Sequence, residues 1–180
     1  MRETIMTSQT LKQIRTTEDA LDTAEDLANR MEELSRALAK TDQGSRLLNL
    51  PLQEIAKWTG DDRYAQLLAK FETLDAQFAT IAKPIEGLTA GSRIAVQNTQ
   101  RALAFHAKAA EPFKVKMARI SELKTVIRRL RSILHTQANR EIERNALFMR
   151  GMGFGAYGDI GTRLGPQMEE REDEEGVTAE

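Results

Sequence analysis

The sequence predicts an all-α protein: an elongated helical bundle with coiled-coil-like long helices and an irregular glycine-rich C-terminal segment. Three observations carry this expectation. Apolar residues recur three and four apart through most of the first 150 positions, the period of a helix with one greasy face. The four prolines stand at 51, 84, 112 and 166, at the joints of that pattern. Aromatic residues make up only 5% of the 180 positions, which leaves Leu, Ile, Ala and Met to fill the core.

In chain order, a first helix is expected over about 8–40, capped by Thr7 or Ser8. Its stripe runs through Leu11, Ile14, Leu21, Ala24, Leu27, Ala28, Met31, Leu34 and Leu38. From Ile14 onward the spacing is close to the 3.5-residue repeat of a coiled-coil seam. Thr17 takes one seam position and weakens it, and Thr16-Thr17-Glu18-Asp19 resembles a helix start, so a separate first segment is an alternative. Glu25, Asp26, Glu32 and Glu33 lie off the stripe as an acidic flank able to face a basic helix.

Residues 41–45, Thr-Asp-Gln-Gly-Ser, read as a stop and loop. Pro51 then opens a short helix over 51–59, which Gly60 ends in a left-handed turn. Trp58, the single tryptophan, is expected to plug one end of the core. Asp61-Asp62 caps a helix over 62–82 with the stripe Tyr64, Leu67, Leu68, Phe71, Leu74, Phe78 and Ile81. Pro84, Gly87 and Gly91 break it. Ser92 is the expected cap of an alanine-rich helix over 92–111 that includes Ile94, Leu103 and Phe105. Pro112 disfavours helix at Glu111 and removes a backbone donor, so a kink is expected there, with a continuous rod as one outcome.

The stretch 112–149 reads as one long helix. Phe113, Met117, Ile120, Leu123, Ile127, Leu130 and Leu134 form its stripe, widened by Val126 and Ile133. Near Gln137 the register slips by one, to Ala138, Ile142, Ala146 and Met149. Such a stutter changes a supercoil locally, and it is the expected place to meet another subunit. A helix of this length spans ~55 Å, against a diameter of about 40 Å for a compact chain of this size. An amphipathic helix that long needs a partner for its stripe, and each covered Leu or Ile contributes about 1.5–3 kcal/mol.

The glycine-rich run 151–166 carries Met152, Phe154, Tyr157, Ile160 and Leu164 between its glycines. A flexible linker would hold serine in those places. This composition suits a strip that lays apolar anchors into a groove, or into a membrane interface. Residues 167–180 form an acidic tail that is expected to be disordered in isolation.

Charge is unevenly laid out behind a net of −1. Residues 101–150 hold 12 basic and 4 acidic side chains, and residues 151–180 hold 2 and 8. A basic row, Lys124, Arg128, Arg131 and His135, runs beside the long helix's stripe, with Arg129, Arg140 and Arg144 nearby. Four phosphate contacts from that helix (114–144) would give a salt slope of about −3.6. Interleaved aromatics for base stacking are missing. Neutralisation by the tail or by neighbouring subunits is the simpler reading.

The chemistry-bearing patterns are few. Gly153-x-Gly155-x-x-Gly158 matches the dinucleotide fingerprint in letters only, because a helix precedes it where a strand is required. His106 and His135 stand alone without metal-ligand spacing. With no cysteine in the chain, disulfide frameworks, thiolate metal sites and cysteine nucleophiles are excluded. Residues 1–10 lack a signal-peptide core, and no stretch approaches the ~18 apolar residues of a membrane span. The expected setting is cytoplasmic or within an assembled particle.

The expected function is therefore non-enzymatic, with no cofactor, metal or small-molecule substrate. The chain is read as a structural or assembly subunit, as in a virion or secretion apparatus. Its expected interface, to copies of itself or to other subunits, is Phe113, Met117, Ile120, Leu123, Ile127, Leu130, Leu134, Ile142 and Met149, with the five anchors of the glycine-rich strip. The alternative is a polyanion-binding module, for nucleic acid or an anionic membrane, modulated by the acidic tail.

Overall fold

A computed structural model describes residues 2–82, 85 and 87–151, with side chains from residue 9 onward. Its described residues form seven helices: α1 (Arg2–Ala39), α2 (Gly44–Leu47), α3 (Leu52–Thr59), α4 (Arg63–Ile81), α5 (Ala90–Ala107), α6 (Phe113–Ala118) and α7 (Ile120–Gly151). The all-α class read from the periodicity is what the chain adopts. The only β-type pairing among the described residues is an isolated bridge between Pro51 and Pro112.

One core gathers side chains from α1, α3, α4, α5, α6 and α7. α4 packs on α1, α3 and α5, and its stripe is buried from Tyr64 to Phe78. The α1 stripe is buried from Ile14 to Leu38. Thr16 and Thr17 do not start a helix. α1 runs straight through them, and their hydroxyls donate to the Lys12 and Gln13 carbonyls one turn back, at 2.9 and 2.8 Å. Thr17 is fully buried with its donor satisfied, which is how a polar residue holds a seam position.

Several joints differ from the reading above. The 41–45 loop tightens into α2, where Gly44 is buried and a Cβ would collide with the Leu38 carbonyl, so the position suits glycine. Gly60 does end α3 in the left-handed region, with φ 68. Trp58, in contrast, is 74% exposed. The inward face of α3 is Leu52, Ile55 and Ala56, and a residue six positions after Leu52 falls on another side of the helix. Of the pair Asp61-Asp62, Asp62 holds the N-cap position of α4 without a side-chain bond, and the Asp61 carboxylate accepts from the Arg63 amide at 3.0 Å. α5 begins earlier than expected because Thr89, not Ser92, is its cap. The Thr89 hydroxyl accepts from the Ser92 amide at 3.2 Å. Ile94 points outward, and Ala95, Val96, Thr99 and Leu103 make the buried face.

The expected single helix over 112–149 is two helices, and no continuous rod crosses Pro112. α5 stops at Ala107, and Pro112 precedes α6 in an extended conformation, φ −59 and ψ 146. There the Phe113 and Lys114 amides donate to the Leu50 and Leu48 carbonyls at 3.0 and 2.7 Å. A second break falls at Arg119, φ −106 and ψ 8. No glycine or proline marks it. Two tertiary contacts act around it: the Lys116 amine on the end of α5, and the Arg119 guanidinium on Phe105.

The chain divides into two units, Met1–Asn139 and Arg140–Glu180, with the boundary inside α7. It lies close to the register slip at Gln137. Within the first unit, α7 buries Ile120, Leu123, Ile127, Leu130 and Leu134.

Truncations should separate these two regions. Leu130→Ala is expected to cost about 2–5 kcal/mol, as a large-to-small change in a packed core. Leu147→Ala, at a site 67% exposed, should cost less than about 0.5 kcal/mol. Urea unfolding followed by circular dichroism measures both.

Candidate functional site

Three places concentrate the chain's polar and apolar irregularities. The first is the seam between α1 and α7. Lys124 Nζ lies 2.8 Å from Glu32, and the Arg131 guanidinium lies 2.7 Å from both Asp22 and Glu25. Partners fall along α1 as they rise along α7, so the two helices run antiparallel. Glu25 and Glu32 belong to the acidic flank seen in the sequence. Asp26 instead pairs with Arg30 on its own helix at 3.1 Å. These ions are part-exposed, so each pair stabilises modestly, about 0.2–1 kcal/mol. Their larger effect is on the register of α7 against α1.

The expected polyanion row is thereby divided. Lys124 and Arg131 are occupied within the chain. Arg128 and Arg129 are exposed and have no carboxylate within ion-pair distance among the described residues, and the same holds for Arg140 in the second unit. Arg144 reaches Glu141 at 3.8 Å. Aromatic side chains do not interleave with this row, so base stacking has no platform on it.

The expected interface is divided as well. Phe113, Leu123, Ile127, Leu130 and Leu134 are fully buried in the chain's own core, Ile120 nearly so, and Met117 partly. They belong to the same buried cluster as side chains of α1, α3, α4 and α5. Ile142 and Met149 remain exposed, at 53% and 47%, together with Leu147 at 67% and Phe148 at 39%. Met152, Phe154, Tyr157, Ile160 and Leu164, the glycine pattern 153–158 and the acidic tail lie outside the described residues.

The third place was not read from the sequence. Lys116 is fully buried, and its ammonium donates to the His106 carbonyl at 2.8 Å. That carbonyl is among the last of α5, where helical acceptors lose their partners, and a cation there also meets the negative end of the helix dipole. A signal was present: Lys116 lies three after Phe113 and four before Ile120, on the stripe itself. Met117 competes for the same place by sequence and is only partly buried.

His106 is buried beside it, its ring 5.6 Å from Phe71 and 5.5 Å from Phe105, centroid to centroid. Nδ1 faces the Ala102 carbonyl at 3.1 Å. An acceptor there requires Nδ1 to carry the proton in the neutral ring, which leaves Nε2 as a lone pair, and Nε2 has no hydrogen-bond partner. Burial pushes the imidazole down from its ordinary 6.5 to about 4, with the Ala102 carbonyl opposing and the Lys116 charge assisting. Burial also lowers the Lys116 amine from 10.5 to about 8, against the pull of Glu111 and Glu72. At neutral pH the imidazole is therefore neutral and the amine charged. His135 lies on the exposed side of α7, away from this pair.

Among the described residues, no three His, Asp or Glu side chains converge as a metal cage, and no helix is long and apolar enough to cross a membrane. Compared with protein-family models, with curated proteins and with solved structures, the chain matches none.

The His106 shift makes acid lability a test of the buried pair. The unfolded imidazole takes up a proton near pH 6.5 and the folded one only near pH 4. The stabilising contribution is thus complete above about 6.5 and lost as pH falls to about 4. A 2.5-unit difference corresponds to about 3 kcal/mol at most. Urea unfolding at a series of pH values should show this fall in the native chain. His106→Leu should flatten the curve between pH 6.5 and 4.

Proposed function

We propose that the chain is a non-enzymatic assembly subunit that self-associates through the C-terminal part of α7, continued by the glycine-rich strip. One observation carries this reading. Ile142, Leu147, Phe148 and Met149 are large, apolar and exposed within eight residues of one helix. Leu147, Phe148 and Met149 are consecutive and so point to different sides. A helical turn that is apolar all round is ordinarily a buried one. Covering one face of it leaves others wet, so a groove or a cluster of equivalent helices suits it better than a flat surface.

The magnitudes favour association. Each of the four side chains contributes about 1.5–3 kcal/mol when fully covered, against an association cost of about 4–15 kcal/mol. A pair of copies brings eight such side chains, each 39–67% exposed at the start, so roughly half the full-burial figure applies to each and the sum, about 6–12 kcal/mol, stands near the break-even point. The anchors Met152, Phe154, Tyr157, Ile160 and Leu164, next along the sequence, would add to the same side of the balance. A closed, symmetric cluster of copies is the usual outcome for one chain type, and a larger particle is an extension of it.

The polyanion alternative has weaker support. With Lys124 and Arg131 engaged by α1, Arg128 and Arg129 are what its first unit offers from the row. Two phosphate contacts would give a salt slope of about −1.8, a weak and non-specific attraction.

Sedimentation velocity at micromolar concentration tests the proposal. The native chain is expected to associate, and Leu147→Glu combined with Phe148→Glu should return it to a monomer with unchanged helicity. A native chain that sediments as a monomer throughout this range would sink the reading.

A further inference from the structure

Within the first unit, α5 and the opening turns of α7 share a pocket of about 390 Å³, in the size range of small-ligand sites. Two arginines, Arg101 and Arg119, are among its lining residues. Neither has a carboxylate within ion-pair distance among the described residues. Arg119 is placed rather than loose. It sits at the break between α6 and α7, and its guanidinium carbon lies 4.3 Å from the centre of the Phe105 ring, within cation–π range. His106, also part of the lining, is the buried imidazole whose Nε2 lacks a partner.

The surrounding charge has the same sign as the two arginines. Residues 101–131 hold nine basic and two acidic side chains, and, among the described residues of α1, carboxylates pair with Lys124 and Arg131. A guanidinium presents a planar fork that matches the oxygens of a carboxylate or phosphate. Asn98 adds an amide to the lining, and Ala102 and Val126 add apolar wall.

The geometry points to a binding site for a small organic anion, a carboxylate or a phosphate monoester, held between Arg101 and Arg119 with its apolar body against Ala102 and Val126. Glu122 also lines the pocket. Its carboxylate repels densely charged polyphosphates and favours a ligand with a hydroxyl or amine to donate to it. A continuous nucleic-acid backbone fits this lining poorly for the same reason. The site is independent of the association surface at the end of α7.

Titration calorimetry on the full chain tests it, with phenyl phosphate and benzoate as the probes. Saturable one-to-one binding of at least one probe, with Kd in the millimolar range or below, is expected. Arg101→Gln and Arg119→Gln should each weaken it by about tenfold or more, the loss of a hydrogen bond to a charged group. Arg128→Gln, outside the pocket, should leave it within about twofold. Should Arg119→Gln alter helicity, Arg101→Gln in mid-helix decides. A bound anion near the imidazole also favours its protonated form, so His106 followed by NMR should titrate at higher pH when the probe is present. Absence of saturable binding by both probes, or equal losses in all three variants, overturns the site. Binding of duplex DNA without binding of either probe does the same.

Discussion

Burial of the α7 stripe in the core built by α1 and α4 is the constraint from which the rest of the arrangement follows. Ile120, Leu123, Ile127, Leu130 and Leu134 leave water inside their own chain. α7 lies antiparallel to α1 there, and its basic edge meets α1 carboxylates. Lys124 and Arg131 are consumed by that meeting. Packing thus removes from the surface both the apolar stripe and half of the basic row. What stays exposed includes the apolar group Ile142, Leu147, Phe148 and Met149 of α7, and Arg101 and Arg119, which have no carboxylate within ion-pair distance among the described residues.

Much of the fold was legible in the sequence because it rests on periodicity. The stripes of α1, α4 and α7 show through spacing alone, and Gly60 declares its left-handed turn. The misreadings have local physical causes. Trp58 was placed inside on grounds of size, whereas its angular position on α3 puts it outside. Pro112 was read as a kink because its pairing partner, Pro51, is far away in sequence. The break at Arg119 has no breaker residue at all. It is a product of tertiary contacts, to which local propensity is blind.

The sites were less legible than the fold, for a related reason. Periodicity marks a stripe as apolar and does not say whose surface will cover it, so an intramolecular core was read as an interface. Lys116 stands on the stripe, but lysine is rarely buried without a partner, so spacing alone does not mark it as core. Its partner is a helix end, the carbonyl of His106, and helix ends are known only once the helices are placed. Arg101 and Arg119 are eighteen positions apart and line one pocket because the turn between α5 and α6 brings their elements together. A buried amine and a neutral imidazole cost stability that an all-apolar packing would retain. Their position, binding the end of α5 to α6, fixes one arrangement of those two helices.

The pairing of Pro51 with Pro112 bears on the order of folding. It joins chain segments that enclose α3, α4 and α5, so closing it constrains a long loop, whose entropy is recovered only when those helices are already seated. A contact of that sequence separation is of the kind expected to form late in folding. Perturbing that clasp should then speed unfolding more than it slows refolding. Two residues that interrupt helices locally serve, at a distance, as the latch on the route to the native state.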